Sequence, residues 1–199
     1  MSQGGLTQSL LRYCNQAAAR HWLPATGGNL SVRIAADRCL ITASGVDKAS
    51  LTENDLVTVD LQGKVVAGPK PSAETLVHCA LYGSDPAIQA VFHTHSVAAT
   101  VLSRKVEGDT LWLEGFEMQK AIRGVTDHLA PLGIACFDNT QDMPALAEQI
   151  RSRYQAKPFV GGLLLKGHGL YAFGQSPEEA WRHLEGLEFL LQCEWELRR

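Results

Sequence analysis

The sequence predicts a single α/β domain, spanning residues 1–199, whose sheet is mainly antiparallel. Three observations lead to this fold class. Segments with the 3.6-residue apolar period of a helix alternate along the chain with short segments in which apolar residues recur at every second position. The short segments occur mostly in pairs joined by turns, and hairpins of this kind give antiparallel strands. No stretch rich in glycine, proline or serine is long enough to link two domains.

The chain begins with a predicted helix and continues with two predicted hairpins. Leu6, Leu10 and Tyr13 recur at helical spacing, which predicts a helix as far as about Arg20. The period then changes to two residues, as expected for strands that are buried on one face. This alternation predicts strands at residues 30–34, 39–42, 56–60 and 64–67.

A second helix is predicted after the glycine- and proline-rich break that follows the second hairpin. Ser72 is a candidate N-cap, residues 73–82 carry the helical pattern, and Gly83 ends it. The next segment, residues 88–92, is a short apolar run typical of a buried strand. An alanine- and valine-rich helix at residues 96–104 follows it.

The rest of the chain repeats this mixture of short strands and helices. Further strands are predicted at residues 110–113, 134–137, 162–166 and 170–173. Further helical segments are predicted at residues 116–122, 144–154 and 177–197. The last of them has the clearest start, because Ser176 is a preferred N-cap residue and Pro177 is favoured at the first helical position.

Composition and charge exclude several classes of function. Apolar residues make up 45% of the chain and charged residues 20%, as in ordinary globular proteins. The 18 basic and 21 acidic residues give a net charge of −3, so no nucleic-acid or membrane partner is expected. Five scattered cysteines argue against a disulfide framework, and residues 1–8 lack a signal-peptide pattern. A cytoplasmic location is therefore expected.

Three of the seven histidines form a candidate metal site. His93 and His95 are two residues apart at the end of a predicted strand, so their imidazoles point to the same face. An isolated pair of this kind is a weak signal, because the pattern also occurs by chance. His168 lies between Gly167 and Gly169 in a predicted turn, which leaves its ring free to act as a third ligand. Three neutral imidazoles with an open position are typical of catalytic zinc.

The other four histidines are given ordinary structural interpretations. His21 follows a helix, His128 lies in a loop, and His183 is predicted to face outward from a charged helix. His78 is one turn beyond Glu74 on the same predicted helix. It is therefore either a residue that hydrogen-bonds to a metal ligand or a solvated neighbour of Glu74. We favour the solvated neighbour.

Two carboxylates are candidates for proton transfer. Glu74 lies at the start of a predicted helix, where the helix dipole alone also favours a negative charge. Glu117 lies among Phe116 and Met118, and apolar neighbours that desolvate a carboxyl group raise its pKa towards neutrality, as a general acid/base requires. Its alternative role is that of an exposed glutamate on a short helix. Spacing alone does not decide between these two roles of Glu117.

Three segments of small residues are candidate anion-binding loops. Each lies at the end of a predicted strand or helix, where backbone N–H groups and hydroxyl groups are free to bind phosphate. The segments are Gly27-Gly28-Asn29, Ala43-Ser44-Gly45 and Pro71-Ser72-Ala73. None matches a nucleotide-binding glycine pattern, and the serine-hydrolase motif G-x-S-x-G is missing.

These motifs, taken as an ordered set, resemble the class II aldolase/adducin family. The resemblance covers nearly the whole chain. It is carried by residues 28–31, 41–45, 71–74, 93–95 and 166–169. The segment from Glu114 to Lys120 is similar to the acid/base segment of the dehydratases in this family.

The resemblance implies both a fold and an assembly. The fold would be a single αβα domain with a central, mostly antiparallel sheet flanked by helices. One zinc ion per subunit would be bound by His93, His95 and His168. The subunits would form a homotetramer whose active sites lie between subunits. The residues that would hold a substrate phosphate are Gly28, Asn29, Ser44, Gly45 and Ser72.

The resemblance also implies an activity, which is the dehydration of a phosphorylated ketose. In the dehydratases, the position of Glu117 carries the acid/base, whereas in the aldolases the position of Glu74 does so and can contact the metal. Aldol cleavage of a sugar phosphate is therefore the nearest alternative. Epimerases of the family are less similar, because they tend to carry aspartate at the position of Glu74. A metal-free interaction domain is the non-enzymatic alternative.

Overall fold

The computed structural model describes residues 2–198, which form one nine-stranded sheet between two layers of helices. The strands, numbered in chain order, are β1 Asn29–Ala35, β2 Arg38–Thr42, β3 Leu56–Asp60, β4 Val65–Ala67, β5 Ala90–Thr94, β6 Thr110–Leu113, β7 Leu132–Phe137, β8 Gly162–Leu165 and β9 Gly169–Gly174. The α-helices are α1 Gln3–Ala19, α2 Thr75–Ser84, α3 Val97–Lys105, α4 Met143–Ala156 and α5 Pro177–Leu197. Two short 3-10 helices cover Glu53–Asp55 and Glu117–Ala121.

The sheet has the strand order β4-β3-β2-β1-β5-β9-β8-β7-β6. All neighbouring strands are antiparallel except β7 and β8, which are parallel. The hairpin pattern of the sequence therefore predicted the sheet correctly. Strand β5 lies in the middle of this order, between β1 and β9, so the residues at its end are supported from both sides.

Two apolar clusters cover the two faces of the sheet, because successive side chains of a strand point to opposite faces. On β5, Phe92 packs with residues of α1, α3 and α5, whereas Val91 packs with residues of α2 and α4. The predicted αβα architecture is confirmed. No helix among residues 2–198 is long and apolar enough to cross a membrane.

The start of α2 differs from its prediction. The helix begins at Thr75, and Glu74 occupies the N-cap position, so Ser72 is not the N-cap. Pro71, shortly before the helix, forms an isolated β-bridge with Ala43, and the Ser72 hydroxyl accepts a hydrogen bond from the Glu74 N–H. The helix also continues through Gly83 to Ser84. The Ser72 side chain thus stabilises a turn that precedes the helix, and it does not cap the helix itself.

Candidate metal centre and active site

Sheet topology brings the three predicted ligands to one edge of the molecule. His93 is the fourth residue of β5 and His95 follows the end of this strand. His168 lies in the turn between β8 and β9, and β9 is a direct neighbour of β5. The turn therefore lies beside the end of β5, where the register pairs Thr94 with Leu170.

The imidazoles of these histidines converge through their Nε2 atoms. The Nε2 of His93 lies 2.8 Å from that of His95 and 3.3 Å from that of His168, and the remaining Nε2 pair is 3.0 Å apart. Glu74 joins them, with its Oε1 atom 2.9 Å from His168 Nε2 and its Oε2 atom 3.7 Å from His93 Nε2. One ligand atom from each of the four residues lies within 4.8 Å of the others.

Hydrogen bonds behind the rings orient two of these imidazoles. His93 Nδ1 donates to the carbonyl oxygen of Leu170 at 2.9 Å, and His168 Nδ1 lies 3.2 Å from Asn139 Oδ1. A proton on Nδ1 leaves the lone pair of Nε2 directed at the centre of the cluster, as metal-binding histidines require. Burial lowers the pKa of His93, and lowers that of His95 to about 3, so both rings are neutral.

The donor set fits a divalent metal ion. Three imidazole nitrogens and one carboxylate oxygen are ligands that zinc and similar transition metals prefer in proteins. Burial alone raises the pKa of Glu74, but the adjacent imidazoles of His168 and His93 hold this pKa well below the usual range. The cluster therefore offers neutral nitrogen ligands beside one ionised oxygen ligand.

A cavity of about 260 Å³ lies beside the cluster. Glu74, His95 and His168 line one part of it. The three segments of small residues singled out from the sequence line another part, and these include Gly28, Asn29, Ser44, Gly45 and Ser72. The structure thus brings Glu74, two of the three candidate histidine ligands and the candidate phosphate-binding residues to the same cavity.

Gly28 is required by the close packing beneath this cavity. Its φ angle is +74°, which favours glycine, and an ideal Cβ at this position would overlap the Leu23 side chain. The same Cβ would lie 2.7 Å from the carbonyl oxygen of His93. The segment can therefore approach the end of β5 only because residue 28 has no side chain.

Lys48 also lines the cavity, although nothing in the sequence pattern marked it. Its side chain is buried, and its Nζ atom donates to the carbonyl oxygens of Thr26 and Val46 at 3.2 and 2.6 Å. These carbonyls belong to two of the loops that line the cavity, so one ammonium group joins both loops. Burial lowers the pKa of Lys48.

Glu117 lies outside the lining of this cavity. Its side chain is 70% exposed, its Oε1 atom is 2.6 Å from Lys120 Nζ, and its Oε2 atom is 3.5 Å from His128 Nδ1. The hydrogen bond from Lys120 lowers the pKa of Glu117. The expectation that apolar neighbours raise this pKa is therefore wrong for the chain as described, because Phe116 and Met118 do not enclose the carboxylate.

Two histidines are more buried than the sequence suggested. His78 is fully buried against Asn29 and Ser31, so the solvated interpretation is wrong. His183 is also buried and does not face outward, because its Nδ1 donates to Phe173 O at 2.7 Å and its Nε2 accepts from Arg123 N at 3.1 Å. The helices that carry them, α2 and α5, pack through faces that the sequence pattern of each helix did not predict to be buried.

Replacement of Gly169 by alanine is expected to destabilise the protein by about 1–3 kcal/mol, because overpacking has costs of this order. An ideal Cβ at Gly169 would overlap the carbonyl oxygen of Thr94, which is backbone and cannot rotate away. The free energy of unfolding in denaturant measures the effect. Gly83→Ala is the matched control: no atom lies within 4 Å of its Cβ position inside α2, so we expect a gain of about 0.5–1 kcal/mol. Equal stability of Gly169→Ala and the unchanged protein would contradict the expectation.

Comparison with known proteins agrees with this geometry. The family model of the Class II Aldolase and Adducin N-terminal domain matches residues 8–195. Methylthioribulose-1-phosphate dehydratase of Pectobacterium carotovorum subsp. carotovorum (strain PC1) is 49% identical over 199 residues, which cover 100% of this chain and 97% of that protein.

Solved structures share the same fold. YgbL from Klebsiella pneumoniae superposes with a TM-score of 0.84 at 26% identity, over 99% of this chain and 91% of that chain. L-fuculose-1-phosphate aldolase from Thermus thermophilus has a TM-score of 0.75 at 26% identity, over 98% of this chain and 95% of that chain. The sequence match, the fold and the histidine cluster agree, and the protein belongs to the class II aldolase and adducin N-terminal domain family.

Proposed function

We propose that this protein is a zinc-dependent hydro-lyase of methionine salvage, which dehydrates 5-methylthioribulose 1-phosphate to 2,3-diketo-5-methylthiopentyl 1-phosphate. The observation that carries the proposal is the intact cluster of three histidines and Glu74 beside a cavity lined by small residues. The 49% identity to a methylthioribulose-1-phosphate dehydratase supports it. A cytoplasmic location is part of the proposal, because the five cysteines are free thiols, as a reducing compartment keeps them.

His93, His95 and His168 are the proposed zinc ligands, with Glu74 beside them. These residues would hold a zinc ion whose Lewis acidity would polarise the C2 carbonyl of the substrate and make the proton on C3 more acidic. The hydrogen bonds of His93 and His168 to Leu170 and Asn139 keep their ligand nitrogens aimed at the ion.

Glu117 is the proposed general acid/base. Its carboxylate removes the C3 proton and then gives this proton to the C4 hydroxyl group, which leaves as water as the C4–O bond breaks. The enol that results has a hydroxyl group on C3 and a double bond between C3 and C4. It becomes the 2,3-diketone when the hydroxyl proton is lost and C4 takes up a proton from solvent.

The phosphate group of the substrate is proposed to bind to the small-residue loops. The proposed contacts are Gly28, Asn29, Ser44, Gly45 and Ser72. Both ends of the Asn29 side-chain amide already hold partners inside the protein, so we assign its phosphate contact to the backbone. Lys48 places a positive charge beside these loops, which favours an anion in the cavity.

A homotetramer of this single domain, with active sites between subunits, completes the proposal. Its support is the position of Glu117, which is exposed and outside the cavity of its own chain. A second subunit that brings its Glu117 to the cavity of the first would supply the missing carboxylate and exclude water from the site.

A sugar-phosphate aldolase is the second candidate, favoured by one observation. Glu74 lies within 3.7 Å of two histidines of the cluster, a position from which the same carboxylate can transfer protons at the metal. The same carbonyl polarisation would then assist cleavage of the C3–C4 bond. A metal-free interaction domain has less support, because the four-residue cluster is intact.

Parallel incubation with methylthioribulose 1-phosphate and fuculose 1-phosphate tests the proposal. We expect the zinc-loaded protein to form a diketone from the first substrate and to release no aldehyde from the second. Metal analysis of the purified protein, and activity after chelation and after return of zinc, test the metal requirement. Aldehyde release without diketone formation would favour the aldolase, and a protein without bound metal or activity would favour the interaction domain.

A further inference from the structure

A chain of buried hydrogen bonds runs from the Glu74 carboxylate into the core, and the proposed reaction does not use it. Asn29 Nδ2 donates to Glu74 Oε2 at 2.6 Å, and Asn29 Oδ1 contacts His78 Nε2. His78 Nδ1 lies 2.7 Å from Ser31 Oγ, which lies 2.8 Å from the Tyr82 hydroxyl oxygen. The four residues behind Glu74 are at most 2% exposed. We call these five residues the relay.

The relay forms because side chains on one face of a strand lie opposite side chains on one side of a helix. Asn29 and Ser31 are two residues apart on β1, so both side chains point to the same face of the sheet. Glu74, His78 and Tyr82 are four residues apart along α2 and its N-cap, so they lie on one side of the helix. The two rows face each other, and each helix residue contacts a strand residue.

The chemistry of its members gives the relay a direction. A carboxylate only accepts hydrogen bonds, so Asn29 turns its NH2 group towards Glu74 and its oxygen towards His78. His78 Nε2 therefore carries a proton. Burial lowers the pKa of His78 to about 3, so the ring is neutral and its Nδ1 accepts from the Ser31 hydroxyl. Ser31 in turn accepts from the hydroxyl of Tyr82.

We propose that His78 is a positioning residue for the Glu74 carboxylate, on which it acts through Asn29. Each donor of the relay points towards Glu74, and hydrogen bonds in such chains polarise one another. The relay and the Ser72 hydroxyl, which is 3.4 Å away, hold Oε2 of Glu74 at 3.7 Å from His93 Nε2. This position directs Oε1 at His168 Nε2, 2.9 Å away. This inference rests on the proposed metal site and not on the proposed substrate.

Zinc affinity, measured by competition with a chromophoric chelator, tests the inference. We expect His78→Phe to weaken zinc binding about 10- to 100-fold, because loss of groups that orient metal ligands has effects of this size. His78→Gln is expected to restore most of the affinity, since its side-chain NH2 group can donate to Asn29 in place of Nε2. In a Glu74→Gln background, His78→Phe is expected to change the affinity less than about twofold.

His183→Phe is the matched control for the loss of a buried histidine. His183 is 2% exposed and makes two hydrogen bonds, as His78 does, but its partners, Phe173 and Arg123, lie outside the relay. Both variants are expected to lower Tm, whereas only His78→Phe is expected to weaken zinc binding. If His78→Phe does not fold, Ser31→Ala is expected to weaken zinc binding about tenfold with less disturbance of packing.

The possible results separate this inference from the proposed function. If the unchanged protein binds zinc and His78→Phe binds it equally well, the inference is overturned and the proposed function stands. The same holds if His183→Phe weakens zinc binding as much as His78→Phe does. An equal loss in the Glu74→Gln background would also overturn it, because His78 would then act by another route. Absence of zinc binding by the unchanged protein would overturn both.

Discussion

Replacement of Glu117 by glutamine is expected to reduce the rate of dehydration by about 10²- to 10⁴-fold, the range in which general acid/base catalysis contributes. Glutamine keeps the shape of the side chain but neither removes the C3 proton nor protonates the C4 hydroxyl group. Because Glu117 lies outside the histidine cluster, zinc content and Tm are expected to stay unchanged. Turnover of methylthioribulose 1-phosphate by the zinc-loaded variant is the measurement.

Glu148→Gln is the matched control for this change. Glu148 is 67% exposed and pairs with Arg151 at 3.1 Å, three residues later, much as the 70% exposed Glu117 pairs with Lys120. Its loss is expected to leave turnover intact. Near-normal turnover by Glu117→Gln would exclude the proposed role, and a large loss in Glu74→Gln with zinc content preserved would assign the acid/base to Glu74 instead.

Replacement of His168 by alanine is expected to remove the metal and with it the activity. Polarisation of a carbonyl by a bound metal stabilises the transition state by several kcal/mol. Loss of this stabilisation corresponds to a rate loss of roughly 10³-fold or more. His168 is supplied to the cluster by the turn between β8 and β9, and its side chain is 15% exposed. The fold is therefore expected to survive the change, and zinc per chain and turnover are the measurements.

His21→Asn is the control for this variant. His21 is exposed at the end of α1 with a φ angle of +60°, a conformation that asparagine tolerates, and it lies outside the cluster. Zinc content and turnover are expected to match those of the unchanged protein. Full zinc content in His168→Ala would show that the other three residues hold the metal alone, and full turnover would contradict a metal site at this cluster.

Local patterns predicted the sheet and the convergence of His93, His95 and His168. Alternation along β5 places the first two on one face, and the glycines around His168 mark a turn. The sequence also marked Gly28 and Ser44 as parts of loops that the structure brings to one cavity. These features follow from residues that are neighbours in the chain.

The features that the sequence did not predict depend on residues far apart in the chain. The burial of His78 follows from the packing of α2 against both the sheet and α4, which the pattern of α2 alone does not contain. Lys48 is held by carbonyl groups of loops that only the folded chain brings together. The surroundings of Glu117 belong, in the proposed assembly, to a second subunit.

In the proposed assembly, the position of Glu117 separates proton transfer from metal binding. Its 3-10 helix packs on α5, whereas the histidine cluster is built on β5 and the turn before β9. The two parts thus lie on different elements, and α5 contacts both of them. In the proposed assembly, substitutions around residue 117 are therefore expected to alter proton transfer while His93, His95 and His168 stay in place.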